Sequence, residues 1–238
     1  MIALFDLDGT ILPWDTQKLF CHYVITRHPL RRLFLLAYVP LTPFASTLGS
    51  EGLKRVFLSF LWKMERHEIE EYARAFAAEW VAKSAWPEMR ARINQHKKNG
   101  DLTVLVSASP EAYVREIGKI LGFDLSYGTV IDFPDKGGLP IFPDLINNKG
   151  HNKVLRLREE LDQSHFANDG TLQQAHGYTD SRADLPMLSL CQTATVVNPS
   201  KKLLAIAEDK GWEIIRLPRP WKNKIHRFLL RIKIVLGF

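Results

Sequence analysis

Residues 2–10, IALFDLDGT, decide the fold, because a short hydrophobic strand leads directly into two aspartates and a glycine. Side chains alternate along an extended chain, so Asp6 and Asp8 project to the same side at the end of this strand. Two carboxylates so close repel one another unless a cation or a shared proton lies between them. A magnesium ion would relieve that repulsion, and Gly9 permits a tight turn with a close backbone approach. A simple capped turn also explains an Asp-Gly pair, so this stretch alone leaves both interpretations open.

The sequence after residue 100 alternates strand patterns with helical ones. Further strands are predicted at residues 102–106, 127–131, 177–179, 195–197 and 213–215. Strands that alternate with helices pair in parallel through right-handed crossovers. We therefore expect an α/β fold with a doubly wound, mainly parallel sheet, whose ligands bind beyond the carboxyl ends of the strands.

Residues 16–96 have helical periodicity and no convincing strand. Apolar residues recur at helical spacing at positions 69, 72, 73, 76, 80 and 81, a stripe more typical of a core than of a ligand surface. We predict an all-α cap inserted after the first strand and packed over the carboxyl edge of the sheet. The predicted divisions are a catalytic core at 1–15 plus 97–215, a cap at 16–96 and a C-terminal tail at 216–238.

Two further strand ends carry polar groups that suit a phosphate. Ser107 and Ala108 end the second strand before a helix, where a hydroxyl and backbone N–H groups can bind an oxyanion; N-capping by Ser109 is the simpler alternative. Lys153 begins a later helix, where its ammonium would hold a phosphate oxygen or pair with the first aspartate. A solvated lysine is the alternative there, and Lys149 is a rival for the same role.

A second acid pair, Asp180 and Asp184, follows the strand predicted at 177–179. Asp180 at the strand tip can complete a set of metal ligands. Asp184 can orient a metal ligand or a water molecule without contacting the metal itself. With this pair, the ends of successive strands carry an acid pair, a hydroxyl, a lysine and an acid pair, in that order.

This order resembles the haloacid dehalogenase superfamily of aspartate-nucleophile phosphatases, over residues 1 to about 215. The helical insertion looks like the cap of the phosphoserine-phosphatase-like branch, type IB. The strings 178–188 (YTDSRADLPML) and 197–199 (VNP) are similar to a bacterial group that includes phosphatidylglycerophosphatase C-like proteins.

The resemblance implies a mechanism and a set of site residues. Asp6 would attack phosphorus and become an aspartyl-phosphate, while Asp8 would protonate the leaving alcohol and then activate water. The implied cofactor is Mg²⁺, held by the Asp6 and Asp180 carboxylates and the Asp8 backbone carbonyl. The implied metal site comprises Asp6, Asp8, Asp180 and Asp184, and the implied phosphate site comprises Gly9, Ser107, Ala108 and Lys153.

The substrate stays open at this stage. A membrane lipid phosphate such as phosphatidylglycerophosphate, a soluble phosphoserine-like metabolite, a phosphomutase reaction and an inactive binding module are the alternatives. Because Asp8 supplies an acid, hydrolysis of a phosphate ester is favoured over the carbon–halogen chemistry of other superfamily members.

The net charge of +6 resides in the tail. Seven basic residues and no acidic one lie in residues 214–238, which leaves the remainder at −1, so nucleic-acid binding is disfavoured. The tail predicts an amphipathic helix over 221–236, either an anchor on anionic lipid or a helix docked on the body. The uncharged residues 33–50 predict a cap hairpin, a segment resting on lipid or a membrane span.

The N-terminus and the cysteines favour a cytoplasmic protein. The first strand begins right after Met1, which leaves no room for a secretion signal, and Cys21 and Cys191 lie outside any metal-binding spacing. We expect a cytoplasmic enzyme, attached at most peripherally to the inner face of the membrane.

Overall fold

The structure is a computed structural model that describes residues 1–47 and 49–236. Within these residues, seven strands form one sheet: β1 (Ile2–Phe5), β2 (Leu102–Pro110), β3 (Leu125–Ile131), β4 (Leu145–Ile146), β5 (Ala175–Thr179), β6 (Thr193–Val197) and β7 (Glu213–Ile215). The strand order is β4-β3-β2-β1-β5-β6-β7, and only the β3–β4 pair among them is antiparallel. The predicted mainly parallel sheet is confirmed. The two-residue β4 was not predicted, because so short a strand has no periodicity to read.

Helices cover the sheet and make up the insertion. The α-helices are α1 (Thr16–Arg27), α2 (Phe34–Thr47), α3 (Gly49–Phe57), α4 (Arg66–Ser84), α5 (Pro87–Lys98), α6 (Glu111–Leu121), α7 (His151–Glu160), α8 (Leu185–Leu188), α9 (Lys201–Asp209) and α10 (Lys224–Leu236). Short 3₁₀ turns at Pro29–Leu33 and Leu58–Leu61 link the helices of the insertion. Between β1 and β2 the described residues contain helices and no strand, so the predicted all-α cap is confirmed, while its exact boundaries stay a prediction.

Strand β1 lies in the middle of the sheet and is buried along its whole length. Phe5, its last residue, is level with Leu105 on β2 and Tyr178 on β5. The Phe5 and Tyr178 rings stack with centroids 4.2 Å apart. Because all three strands run in parallel, the residues that follow them meet at one edge of the sheet.

The cap packs through its aromatic side chains. Ile69, Ala73 and Phe76 of α4 are buried, as the helical stripe predicts, although the side chain of Val81 from that stripe lies outside the described residues. The Phe76 ring meets Tyr113 of α6 edge to face, with centroids 5.5 Å apart. This contact joins the cap to the helix that follows β2.

Helix α2 takes up most of the uncharged segment 33–50, with Leu48 outside the described residues. It packs against α3 and the following turn through Phe34 and Tyr38, each of which contacts Phe57 edge to face. Its opposite side exposes Leu36, Val39 and Phe44. In the described part of the chain, no helix has both the length and the apolar character needed to cross a membrane.

The tail helix α10 docks on α1. His22 Nδ1 donates to the carbonyl of Ile234 at 3.0 Å, and Ile234 packs against the main hydrophobic core. The helix still exposes a row of apolar side chains: Ile225, Phe228, Leu229 and Ile232. Docking on the body, one of the two predicted alternatives, is therefore what the structure shows, and an apolar face remains open beside it.

Candidate active site

Asp6 lies directly after β1, with 6% of its surface exposed. Its Oδ1 accepts from Lys153 Nζ at 2.7 Å, and its Oδ2 accepts from Thr10 Oγ1 at 3.2 Å. Burial raises the pKa of Asp6 to about 7, even though the Lys153 ammonium acts to lower it. The carboxylate is thus held in one orientation by a cation and a hydroxyl.

Lys153, near the start of α7, is 1% exposed and bridges two carboxylates. Its Nζ lies 2.7 Å from Asp6 Oδ1 and 2.8 Å from Asp184 Oδ1. Burial acts to lower the pKa of Lys153, but the two carboxylates outweigh it and raise that pKa above its usual value. Of the two rival lysines, the structure therefore places Lys153 against Asp6, whereas Lys149 is exposed.

Both carboxylate oxygens of Asp184 contact other side chains of the protein. Its Oδ1 pairs with Lys153, and its Oδ2 accepts from Thr179 Oγ1 at 2.7 Å. This arrangement favours the predicted orienting role over direct contact with a metal.

Asp8 turns away from Asp6 toward the cap. Its Oδ2 accepts from Ser109 Oγ at 2.6 Å, and its Oδ1 accepts from the backbone N–H of Thr16 at 2.7 Å. That N–H is one of the free donors at the N-terminus of α1. Burial, together with the nearby Asp15, raises the pKa of Asp8 to about 6. Asp8 thus exchanges a proton close to neutral pH.

N-capping of α6 by Ser109 was the simpler alternative for this stretch, but no side chain forms a capping hydrogen bond at the start of that helix. The Ser109 hydroxyl donates to Asp8 instead. The fully buried hydroxyl oxygen of Ser107 accepts from the Ser109 N–H at 3.0 Å, which leaves the Ser107 hydroxyl proton for another acceptor. Ala108 lines the cavity beside these residues.

Gly9 and Asp180 are in close contact. Gly9 has φ of 85°, and a Cβ placed there would lie 2.2 Å from Asp180 Oδ2. A side chain at this position would be strained by the backbone and would collide with the carboxylate. Burial and the charges of Asp6, Asp184 and Asp8 raise the pKa of Asp180 to about 8. We call the group Asp6, Asp8, Lys153, Asp180 and Asp184 the carboxylate cluster.

Sequence reasoning missed Lys54 of α3. Its Nζ donates to the carbonyl of Ala108, to Thr129 Oγ1 at 3.0 Å and to Asn147 Oδ1. Burial lowers the pKa of Lys54 to about 8. This lysine joins the cap to the end of β2, to β3 and to the residue after β4. Nothing in the local sequence marks it, because it is one of two neighbouring basic residues on an amphipathic helix.

The cluster opens into a cavity of about 360 Å³. Asp8, Gly9 and Asp180 line its inner end, and Lys54 lines it from the cap. Residues from the C-terminal segment line its outer end. The volume lies at the small end of the range for small-molecule sites.

The donor set fits a hard divalent cation. Among the described residues, Asp180 accepts no side-chain hydrogen bond and forms no ion pair, although neighbouring carboxylates raise its pKa. One ammonium, that of Lys153, faces the carboxylates of Asp6, Asp180 and Asp184. No group of three or more metal-binding side chains is found in the described part of the chain. Carboxylate and backbone oxygens together with water are ligands that Mg²⁺ accepts.

A sequence model of the haloacid dehalogenase-like hydrolase family matches residues 3–189. The chain belongs to this family. A histidinol-phosphatase of Neisseria meningitidis is 25% identical over 233 residues, which cover 90% of this chain and 97% of that protein. The phosphoserine phosphatase SerB1 of Mycobacterium tuberculosis is 26% identical over 224 residues, which cover 89% of this chain and 69% of that protein.

The fold of this hydrolase has a solved counterpart. A crystal structure of a Bordetella pertussis protein of unknown function has a TM-score of 0.71 to it at 24% identity, covering 90% of this chain and 97% of that one. The predicted superfamily and its hydrolase chemistry are confirmed, and both relatives carry phosphatase names. The roles of the individual site residues stay predictions.

Proposed function

We propose that this hydrolase is a Mg²⁺-dependent phosphomonoesterase that acts through an aspartyl-phosphate on Asp6. The observation that carries the proposal is the environment of Asp6. Its carboxylate pairs with the Lys153 ammonium, and the neighbouring Asp180 forms no ion pair among the described residues. Asp8, with a pKa of about 6, lines the same cavity. A nucleophile, an acid and a place for a cation thus lie together.

In the first step, a carboxylate oxygen of Asp6 attacks phosphorus and the bond from phosphorus to the ester oxygen breaks. Asp8 donates its proton to that oxygen, so the leaving group departs as a neutral alcohol. Lys153 keeps Asp6 oriented for in-line attack, and Lys153 with the Ser107 hydroxyl stabilises the charge on the transferring oxygens.

In the second step, Asp8 accepts a proton from water, and the resulting hydroxide attacks phosphorus. The bond to Asp6 breaks, phosphate leaves, and both aspartates return to their starting states. A pKa of about 6 suits both halves of this cycle, because each protonation state is well populated near neutral pH.

The Asp6 and Asp180 carboxylates, with the backbone carbonyl of Asp8, would hold the Mg²⁺ ion. When bound, the ion supplies positive charge that offsets the carboxylates and the phosphoryl oxygens.

A soluble phosphomonoester is the favoured substrate class. The names histidinol-phosphatase and phosphoserine phosphatase, borne by relatives that align along most of this chain, support it. A lipid phosphate remains the alternative, on the evidence of the exposed apolar faces of α2 and α10.

The test is phosphate release from para-nitrophenyl phosphate with and without Mg²⁺. Asp6→Asn should lower the rate by at least about 10³-fold while leaving the thermal melt near that of the parent, because it removes the nucleophile and keeps the shape. Asp162→Asn, at an exposed aspartate far along the chain, is the matched control and should behave like the parent. An active Asp6→Asn protein, or a Mg²⁺-independent rate, would refute the mechanism.

Attachment to an anionic membrane surface is a second candidate, favoured by one observation. Helix α10 leaves Phe228 62% exposed and Leu229 also exposed, beside the exposed cations Lys222 and Lys233. Changing Phe228 and Leu229 to serine should abolish binding to vesicles of anionic lipid while leaving para-nitrophenyl phosphate turnover intact. Equal binding by the parent and this variant, or binding by neither, would remove the candidate.

A further inference from the structure

The segment 216–221, between β7 and α10, forms the outer end of the cavity. Arg219 and Trp221 line the same space as Asp8 and Asp180. The region matched by the family model ends at residue 189, so this segment lies outside that match. The active-site cavity is thus completed by residues that the family match does not include.

Specific hydrogen bonds hold the segment in place. Asn198 follows β6 with a positive φ of 47°, and its Oδ1 accepts from the Leu217 N–H at 3.0 Å. The Asn198 carbonyl accepts from Arg219 Nη2 at 2.9 Å, and Trp86 Nε1 donates to the Pro218 carbonyl at 3.0 Å. These bonds fix the backbone over the cavity from both the core and the cap.

One wall of the outer end is aromatic. Trp221 meets Trp14 edge to face, with ring centroids 5.6 Å apart, and both rings line the cavity. The Arg219 guanidinium lies 5.9 Å from the centroid of the Trp221 ring. Such a surface favours an apolar or planar body with a negative group near its edge.

The charge of the outer end is positive. Arg219 and Lys149 both line the cavity, and neither forms an ion pair among the described residues. The one acidic residue at this end, Asp15, is already bonded to Lys18. Nδ2 of Asn198, which also lines the cavity, is buried and has no hydrogen-bond partner in the described structure. Arg219 and Lys149, two cations without an ion pair in the described part of the chain, therefore line the outer end of the cavity.

We propose that Arg219 and Trp221, supported by Lys149, select phosphomonoesters whose alcohol carries a second anionic group on an apolar or planar body. The inference rests on the proposed phosphatase function and adds the class of leaving group. Arg219 binds the second anion, a carboxylate or a further phosphate, and Trp221 packs against the body. The inner end of the cavity acts on the phosphate, and the outer end recognises the alcohol.

The experiment compares phenyl phosphate, para-carboxyphenyl phosphate and para-phenylene bisphosphate at saturating Mg²⁺. The three share a planar body and differ in the second group, which is absent, a carboxylate or a phosphate. The parent protein should show the higher kcat/KM for one or both acidic substrates, and the preferred one identifies the anion. Equal kcat/KM for all three would overturn the proposal while leaving the phosphatase function standing.

Arg219→Gln tests the residue itself. It should lower kcat/KM for the preferred acidic substrate about tenfold more than for phenyl phosphate, mainly through KM, because one charge-assisted hydrogen bond is lost. Arg216→Gln, an exposed arginine of the same segment outside the cavity, is the matched control and should keep the parent's preference. Equal losses on all three substrates would show that Arg219 only holds the segment, and no loss on any would remove it from recognition.

Trp221→Leu tests the contact with the apolar or planar body of the substrate separately from recognition of its second anion. It should raise KM for all three aryl substrates and leave the ratio between acidic and neutral substrates near the parent value. If the parent releases phosphate from none of the substrates, the proposed function fails and this inference fails with it. Activity on phenyl phosphate with no response to Arg219→Gln or Trp221→Leu overturns the inference alone.

Discussion

Two groups of ionisable residues lie on the same sheet, and the pKa values of their carboxyl groups shift in opposite directions. The carboxylate cluster gathers at the carboxyl ends of β1 and β5. The second group, the histidine cluster, lies behind it on β5 and the neighbouring elements and consists of His96, Asp101, His176, Tyr178 and Glu213.

In the histidine cluster, each carboxylate has a counterpart. His96 bonds Asp101 at 2.8 Å through Nδ1 and the Tyr178 hydroxyl at 2.8 Å through Nε2, and Arg92 pairs with Glu213 at 2.6 Å. Against the effect of burial, these bonds lower the pKa of both carboxyl groups. In the carboxylate cluster, burial and mutual repulsion raise the pKa of the acids instead. Deeper burial together with unbalanced charge distinguishes the candidate active site from the histidine cluster.

Removing the one cation of the carboxylate cluster should have the largest effect. Lys153→Met leaves the buried Asp6 and Asp184 without their cationic partner, at a cost of about 3–5 kcal/mol in the free energy of unfolding at neutral pH. Phosphate release should fall about 10²- to 10³-fold, because the phosphoryl group also loses a donor. Thermal melts and initial rates measure the two effects.

Lys201→Met, at an exposed lysine on α9, is the matched control and should change neither quantity. Because the unpaired carboxylates can take up protons, the Lys153→Met protein should regain part of its stability as the pH falls. A variant that is as stable and active as the parent would show that the cluster does not depend on Lys153.

Much of the carboxylate cluster was predictable from the sequence, because Asp6, Asp180 and Asp184 follow strands with clear hydrophobic patterns. Lys153 was predicted from the start of a helix, where the structure places it. The partners of Asp8 were not predictable, since Ser109 reads as an N-cap and Thr16 contributes a backbone N–H. Such contacts depend on how the cap packs on the core, which local periodicity does not encode.

The same limit applies to the outer end of the cavity. The basic and apolar pattern of the tail predicted a helix, and α10 is present over Lys224–Leu236. The pattern gave no sign that Arg219 and Trp221 reach the cavity. Their position depends on a hydrogen bond from Arg219 to the carbonyl of Asn198, which follows β6 and is 21 residues earlier in the sequence. The cap residue Lys54 was missed for the same reason.

Addition of Mg²⁺ should have an intermediate effect that depends on pH. Asp180 and Asp6 have pKa values of about 8 and 7 in the folded protein, above the ordinary value of 3.8. Without metal, the folded state therefore holds more protons than the unfolded chain, and these groups lose stability as the pH rises toward 8. A bound cation offsets that loss, so Mg²⁺ should raise the melting temperature by about 3–8 °C at pH 8 and by less at pH 6.

Asp180→Asn provides the matched test of this charge argument. It removes one of the repelling carboxylates, so the metal-free variant should melt above the metal-free parent at pH 8. It should also lose most of its response to Mg²⁺, whereas Asp162→Asn should respond as the parent does. An Asp180→Asn protein that melts lower than the parent and still gains from Mg²⁺ would contradict the assignment of the unbalanced charge to this site.

The histidine cluster should show the smallest effect, with the opposite sign. His176 bonds Thr193 and Thr195 at 2.8 and 2.7 Å, and burial, helped by the nearby His96, lowers its pKa to about 4 from the ordinary 6.5. The unfolded chain therefore binds the proton more readily between these values, and acidification from pH 6.5 to pH 4 destabilises the fold. Because His176 is only partly buried, the loss should be about 1–2 kcal/mol.

His176→Gln keeps a polar group for the threonines and removes the titration, so the difference in unfolding free energy between parent and variant should shift by that amount over this range. Taking the difference cancels the contribution of the carboxylate cluster, which both proteins share. A constant difference across the range would mean that His176 titrates alike in both states, and that burial beside His96 does not keep it neutral.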